Sequence, residues 1–288
     1  MKTAAASCPA ASLLIKGAPL SLPVPAASST VLITGASSGI GTELARGLAQ
    51  RGYGLTITAR RRDRLEDLAR ELRSAHSVTV DVHPADLGDD AERTELIATV
   101  RSSGREVIGL CNNAGFGSFG HFNDLDQDVE RQMVALNVVA LHELTGALLG
   151  DMVTRGRGAI LNVASTAAFQ PLPGAATYAA SKAFVLAFSE ALHAELAGTG
   201  VSCTSLCPGP VSTEFAERAG IADVESAAKL AFDSAEGVAR QAVDAMLAGR
   251  RSVIPGVVNR LGAFGGRFAP RTVLLPLVKL AGDRRSAR

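Results

Sequence analysis

The chain has 288 residues, 47% hydrophobic and 20% charged, and its 29 basic and 28 acidic side chains leave a formal charge of +1. That size and apolar content allow one large α/β domain and exclude global disorder, and the balanced charge gives no electrostatic reason to bind nucleic acid. Four cysteines without a C-x-x-C pair argue against a disulfide scaffold or a structural zinc site.

Residues 1–29 contain 8 Ala, 5 Ser and 4 Pro and no acid, and prolines 19, 23 and 25 forbid a regular element. Lys16 interrupts the only apolar stretch, so this segment reads as a disordered extension rather than a secretory signal. From Thr30 short apolar runs alternate with stretches of helical period. The strands predicted are Thr30–Thr34, Gly54–Ala59, Val78–Val82, Val107–Cys111, Gly158–Ala164, Val201–Cys207 and Ser252–Ile254. Helices are expected near 39–51, 63–74, 88–102, 124–154, 176–198 and 235–248. Strands that are continuously apolar are covered on both faces. The alternation predicts a Rossmann-type α/β fold: a doubly wound parallel sheet of about seven strands in a three-layer α/β/α sandwich. It forms a single domain over 30–258. Cys203 and Cys207 share a predicted strand about 13 Å apart, too far to bridge. No uninterrupted apolar run reaches the roughly 18 residues of a bilayer span. A soluble, cytoplasmic protein of a reducing compartment is the resulting expectation.

The tail, 259–288, differs again. Residues 260–288 hold seven basic side chains and only Asp283 as an acid, a charge of +6 against −5 for the rest. With the run Val273-Leu274-Leu275-Pro276-Leu277-Val278, it reads either as a segment packed on the body with a frayed basic end, or as a surface for anionic lipid or an acidic partner.

After the first strand comes Thr34-Gly35-Ala36-Ser37-Ser38-Gly39-Ile40-Gly41. Small residues there let backbone approach a pyrophosphate, and the following helix offers free N–H groups and a positive dipole end. This turn resembles the cofactor turn of short-chain dehydrogenases/reductases, and further motifs follow in that family's order: Asn112-Asn113-Ala114-Gly115, Asn137, Ser165, Tyr178-Ala179-Ala180-Ser181-Lys182, then Pro208-Gly209 and Thr213. The resemblance spans roughly 30–258, and within the family it is greatest to the NADPH-using 3-ketoacyl and 17β-hydroxysteroid reductases.

The resemblance implies a catalytic set of Asn137, Ser165, Tyr178 and Lys182. Ketone reduction needs an acid near working pH. A free phenol titrates near 10, and Lys182, one helical turn beyond Tyr178, is expected to lower that value. Ser165 would hydrogen-bond the carbonyl oxygen, and Asn137 would interrupt its helix to hold a water beside Lys182. Cofactor residues by the same match are Gly35, Ser37, Ser38, Gly39, Ile40, Gly41, Arg60, Asp86, Leu87, Asn113, Ala114, Gly115, Tyr178, Lys182, Pro208, Gly209 and Thr213. Asp86 serves equally well as a helix cap or an adenine contact. NADP(H) is expected over NAD(H): Ala59 stands where an acid would accept the ribose hydroxyls, and Arg60 follows it to meet a 2′-phosphate. Arg61 and Arg62 read as a solvated helix start.

Around the nicotinamide, 166–173 and the expected lid from Gly209 to about Leu230 are mainly apolar. They predict a hydrophobic ketone or alcohol bound by Ser165, Phe169, Leu172 and Tyr178. No histidine or cysteine spacing suits a metal. The family's usual pairing of two long helices implies a homodimer or homotetramer. The alternatives are a nucleotide-binding regulator without chemistry and a peripheral membrane ketoacyl reductase.

Overall fold

The computed structural model describes residues 22–211, 214 and 234–286. All seven predicted strands are present: β1 Ser29–Thr34, β2 Leu55–Thr58, β3 Val80–Val82, β4 Glu106–Asn112, β5 Gly158–Val163, β6 Val201–Leu206 and β7 Ser252–Val253. They form one parallel sheet in the order β3-β2-β1-β4-β5-β6-β7. β1, β2, β5 and β6 are buried at every position. That double cover is why apolar side chains stand on both faces, as in Val31-Leu32-Ile33 of β1 and Ala159-Ile160-Leu161 of β5, rather than alternating with charged ones.

The helices are α1 Gly39–Ala49, α2 Arg62–His76, α3 Asp90–Ser102, α4 Gln127–Val134, α5 Leu141–Arg155, α6 Ala176–Glu195, α7 Ala235–Leu247, α8 Val257–Phe268 and α9 Arg271–Ser286. One core cluster joins Leu44 and Leu48 of α1, Leu65 and Leu72 of α2 and Val243 of α7 to Ile33 and Ile57. The opposite face joins Leu96, Leu144, Leu148 and Met152 to Leu32, Leu110 and Ile160. Each such Leu or Ile contributes about 1.5–3 kcal/mol on burial, and right-handed crossovers place helices on both faces.

Three sequence expectations are corrected. The N-terminal extension does not reach residue 29: Leu22 is 3% exposed in the core and β1 starts at Ser29. Gly109 leaves room for it, since a β-carbon there would sit 2.9 Å from Leu22 Cδ1. Residues 1–21 lie outside the described residues. The helix expected at 124–154 starts at Gln127 and runs as α4 and α5 joined without a gap by a π-helical segment, Ala135–Ala140, which is the interruption expected at Asn137. Finally, the tail forms two helices that were not predicted, because Gly262, Gly265 and Gly266 in α8 and Pro276 in α9 are poor helix formers.

The continuous helical stretch Gln127–Arg155 is long and apolar enough to cross a bilayer by length and composition, yet Leu144, Leu148 and Met152 are buried against the sheet. A polar seam also runs under the sheet. Asn112 Nδ2 donates to Thr145 Oγ1 and Asn162 Oδ1 at 3.0 and 2.9 Å, and Asn162 Nδ2 donates to Ser189 Oγ at 2.9 Å. Asn112 therefore ends β4 as a buried sheet residue, not as a loop turn.

Candidate active site at the carboxyl ends of the strands

Strand order reverses between β1 and β4, so a crevice opens at their carboxyl ends. The turn from β1 into α1 crosses it. Gly35 has a φ of 66° and Gly39 of 56°, conformations that a β-carbon resists. At Gly41 a β-carbon would lie 2.3 Å from the Gly35 carbonyl oxygen. Asn113 Nδ2 donates to the Thr34 and Gly35 carbonyls at 2.9 and 3.2 Å. Thr34 Oγ1 in turn accepts from the Asn113 and Ala114 N–H groups at 2.9 and 3.0 Å. Both Asn113 amide hydrogens thus hold the protein's own turn. Ser38 takes the N-cap position of α1 without a side-chain cap bond, so the helix presents backbone donors and its positive end to the crevice. That donor set fits a pyrophosphate.

Ser165 follows β5 and is 8% exposed. Its Oγ accepts from the Ala167 N–H at 3.1 Å, starting the short turn Thr166–Phe169. Tyr178 stands in the first turn of α6, half-buried, with the Ser165 hydroxyl near enough to act on its phenol. The Phe119 ring lies 6.2 Å from the Tyr178 ring. Lys182 is buried one turn on, its Nζ 5.9 Å from the Tyr178 ring centroid, and it donates to the Val163 carbonyl at 2.9 Å. Burial lowers its pKa to about 8, with Cys207 acting the other way. Burial raises Tyr178 above its ordinary value, and the Ser165 hydroxyl offsets this in part. The depression of Tyr178 expected from Lys182 is therefore absent in the protein alone: desolvation of the phenol outweighs a cation already bonded to a carbonyl.

Asn137 sits in the π segment and is 1% exposed. Its Oδ1 accepts from the Phe116 N–H at 3.1 Å, and its Nδ2 donates to the Phe116 carbonyl at 2.9 Å and to Ser181 Oγ at 3.1 Å. Ser181 Oγ donates to the Tyr178 carbonyl at 2.7 Å. A β-carbon at Gly115 would come within 2.9 Å of Asn137 Oδ1 and 3.4 Å of Lys182 Nζ. Asn137 thus stitches the post-β4 loop to the Tyr178 helix, beside Lys182. Pro208 joins the group because its carbonyl accepts from the Thr166 N–H at 2.9 Å.

The basic residues after β2 depart from expectation. Arg61 is not a solvated helix start. Its Nε and Nη2 donate to Ser37 Oγ at 3.2 and 3.1 Å, folding the guanidinium over the glycine turn. Its Nη1 reaches Glu214 at 2.8 Å, and Arg64 holds the other Glu214 oxygen. The hydrogen bonds from Arg64 and Arg61 drive the Glu214 pKa down to about 2. Arg60 is mostly exposed, 3.6 Å from Asp86 Oδ2. Asp86 is not the helix cap: Asp89 caps α3, while Asp86 Oδ1 accepts from the Gly88 N–H at 3.0 Å. Leu87 is a core residue at 3% exposed.

A family model described as short chain dehydrogenase matches residues 29–254. The chain belongs to the short-chain dehydrogenase family. This short-chain dehydrogenase is similar to sulfoacetaldehyde reductase 2 of Chromohalobacter salexigens, at 40% identity over 192 residues, 65% of this chain and 75% of that protein. Its fold matches a short-chain dehydrogenase from Sphingobium yanoikuyae in complex with NADPH, with TM-score 0.75 and 33% identity over 86% of this chain and 95% of that one. It also matches the bulky-bulky ketone specific alcohol dehydrogenase from Comamonas testosteroni, with TM-score 0.72 and 29% identity over 87% and 95%. It is an NAD(P)-dependent oxidoreductase that acts on a CH–OH group or the matching ketone, and it resembles the ketoacyl reductases.

In this short-chain dehydrogenase contacts link the Gly35 turn to Asn113, Gly115 to Asn137 and Lys182, and the turn after Ser165 to Pro208, whereas Arg60 pairs with Asp86 and Leu87 is buried in the core; two further expectations are qualified. Phe169, expected against substrate, is 9% exposed and packs with Leu141, Val185, Leu186 and Ala263, because the turn after Ser165 folds it into the core; Leu172 remains partly exposed. Thr213 and most of the expected lid lie outside the described residues. Sequence reasoning missed Arg61, Ser181 and Glu214. The hydroxyl of Ser37 in the turn was the available signal for Arg61, since it offers an acceptor to whichever nearby arginine reaches back. A cavity of about 600 Å³ lined by Glu66, Arg73, Asp81, His83, Thr99 and Arg105 lies at the β3 edge and contains none of these groups.

Proposed function

We propose that this enzyme reduces a hydrophobic ketone, or oxidises the matching secondary alcohol, with Tyr178 as general acid/base and NADP(H) preferred over NAD(H). The observation that carries the reading is the placement of Tyr178 in the first turn of α6 with the Ser165 hydroxyl acting on its phenol and the buried Lys182 one turn behind it. A carbonyl oxygen placed between the two hydroxyls receives two donors where negative charge develops. Tyr178, raised by burial, keeps its proton at neutral pH and so holds the form that reduction requires. Lys182 supplies the adjacent cation as that proton leaves. When bound, NADP(H) supplies the hydride.

The residues that would hold the cofactor are the turn Gly35, Ser37, Ser38, Gly39, Ile40 and Gly41 at the pyrophosphate, and Asp86, Leu87 and Asn113–Gly115 beside the adenosine. Lys182 would hold the ribose, with Pro208, Gly209 and Thr213 near the nicotinamide. The preference for NADP(H) rests on Ala59, which offers no carboxylate, on Arg61 at Ser37, and on Arg60 beside Asp86. The structure puts Arg61 rather than Arg60 on Ser37, so Arg61 takes the larger share. The apolar substrate rests on 166–173, which carries no charge, and on Phe119 beside Tyr178. A sulfonate such as the substrate named for the Chromohalobacter relative needs a cation that this segment lacks. Val129, Val134, Val139, Val153 and Phe184 remain 37–41% exposed on α4–α6 and suit a homodimer or homotetramer. The buried thiols Cys111, Cys203 and Cys207 suit a cytoplasmic location.

A panel of apolar ketones, with sulfoacetaldehyde beside them, tests the proposal through NADPH oxidation read by absorbance. Apolar ketones are expected to give the highest kcat/KM. Faster turnover of sulfoacetaldehyde, or equal KM values for NADPH and NADH, overturns the substrate or the coenzyme assignment respectively.

A further inference from the structure

α8 has two unlike faces. Ala263 and Gly266 are buried, and a β-carbon on Gly266 would meet Gln170 Oε1 at 3.0 Å and the Phe169 carbonyl at 3.3 Å. Asn259 lies against Gly209, and Arg267 reaches Glu190 of α6 at 3.7 Å. The inner face is thus seated on the two segments that flank Ser165. The outer face carries Val257, Leu261, Phe264 and Phe268, which fall within an arc of about 60° on a helix of 100° per residue. With Val258 beside them, these side chains are 65–75% exposed. The Phe264 and Phe268 rings pack on each other 4.6 Å apart. α9 exposes Val273, Leu275 and Leu280 as well, by 56%, 40% and 53%, with Val273 and Leu280 on one side of the helix and Leu275 on the other. Exposed Arg260 and Lys279 border the apolar residues, and residues 260–288 carry +6 while the rest of the chain carries −5.

We infer that the outer face of α8, with the exposed apolar and basic side chains of α9 beside it, docks this enzyme on an anionic lipid surface, and that its apolar ketone is drawn from that surface. The second clause rests on the reading of the Ser165–Tyr178 site; the first does not. An apolar stripe edged by basic side chains is the pattern that lies in a bilayer interface, and anionic headgroups complement the charge. Isologous pairing with a second copy is disfavoured, because it would bring the exposed Arg260 and Lys279 of both copies onto one apolar patch. The body of the same chain already holds the other face of α8. A bilayer under the outer face would lie one helix away from the Thr166–Gln170 segment, which gives a lipophilic ketone a short path to Tyr178.

The test uses the full chain, sedimented with vesicles of phosphatidylcholine alone or with phosphatidylserine. Binding is expected only with phosphatidylserine, weakened by salt, and lowered at least about tenfold in Arg260→Glu/Lys279→Glu. Leu261→Asp/Phe264→Asp is expected to abolish it, while melting temperature and turnover of a water-soluble ketone in vesicle-free buffer stay at the parent values. A parent chain left in the supernatant overturns the docking, as do variants that bind equally. If Leu261→Asp/Phe264→Asp instead splits an oligomer in light scattering and vesicle binding is absent, the face is a subunit interface and the inference fails. Vesicle binding without turnover of any ketone sinks the enzymatic reading and leaves the docking intact.

Discussion

The glycines of the cofactor turn and two of the three in α8, Gly262 and Gly265, stand in opposite surroundings. In the turn, a β-carbon at Gly41 would meet a carbonyl oxygen at 2.3 Å, and Gly35 holds a positive φ. At Gly262 and Gly265 of α8 nothing lies within 4 Å of the position a β-carbon would take. One region is made by backbone packed on backbone, which leaves a helix N-terminus bare for an anion. The other is a helix lying on the body with its apolar side outward. The same residue type is thus a requirement in one place and a cost in helix propensity in the other.

The sharpest way to separate the two regions is Tyr178→Phe. It should lower kcat at least about 10²-fold while cofactor binding, fold and vesicle binding persist; near-parent turnover of any good substrate removes Tyr178 from the chemistry. Next comes Arg61→Ala, which loses a charge-assisted contact of about 1.5–3 kcal/mol. It should raise the NADPH KM by roughly 10–150-fold and leave that for NADH nearly unchanged. Arg60→Ala should do less, because Arg60 is mostly exposed and turned to Asp86. The reverse ranking would return the 2′-phosphate to Arg60.

Paired glycine substitutions probe the comparison directly. Gly41→Ala should destabilise by about 1–3 kcal/mol through overpacking, whereas Gly265→Ala should stabilise by about 0.4–1 kcal/mol. Chemical denaturation that gave both the same sign would erase the distinction. The smallest effect concerns pH. Lys182 titrates near 8 when folded against 10.5 ordinarily. Between those values the unfolded chain still binds a proton that the folded one has released. Parent stability relative to Lys182→Met should therefore rise by about 1.4 kcal/mol per pH unit across that window. The buried thiols, all raised, act in the opposite direction above about 9; those of Cys111 and Cys203 cancel in this difference, whereas Cys207, coupled to Lys182, is held down by it and rises further in the variant. A flat difference from pH 8 to 10 would falsify the depressed Lys182 value.

Much of the fold was legible in the chain itself. Continuous apolar runs such as Val31–Ile33 and Ile160–Leu161, alternating with helical periods, specify a parallel sheet covered on both sides, because each strand buries both faces. The order of the glycine turn, Asn113, Asn137, Ser165, Tyr178 and Lys182 was equally readable, since each follows a particular strand or occupies a particular helix. Tertiary structure decided what depends on direction and environment. Periodicity states that α8 has an apolar side but not which side meets the body, and Gly262, Gly265 and Pro276 hid the helices altogether. Three consecutive arginines are equivalent in sequence; only the bend from β2 into α2 sets Arg61 on Ser37 and Arg60 toward Asp86. A spacing of four residues likewise places Lys182 near Tyr178, but the sign of each pKa shift follows from how much water the fold removes from each group.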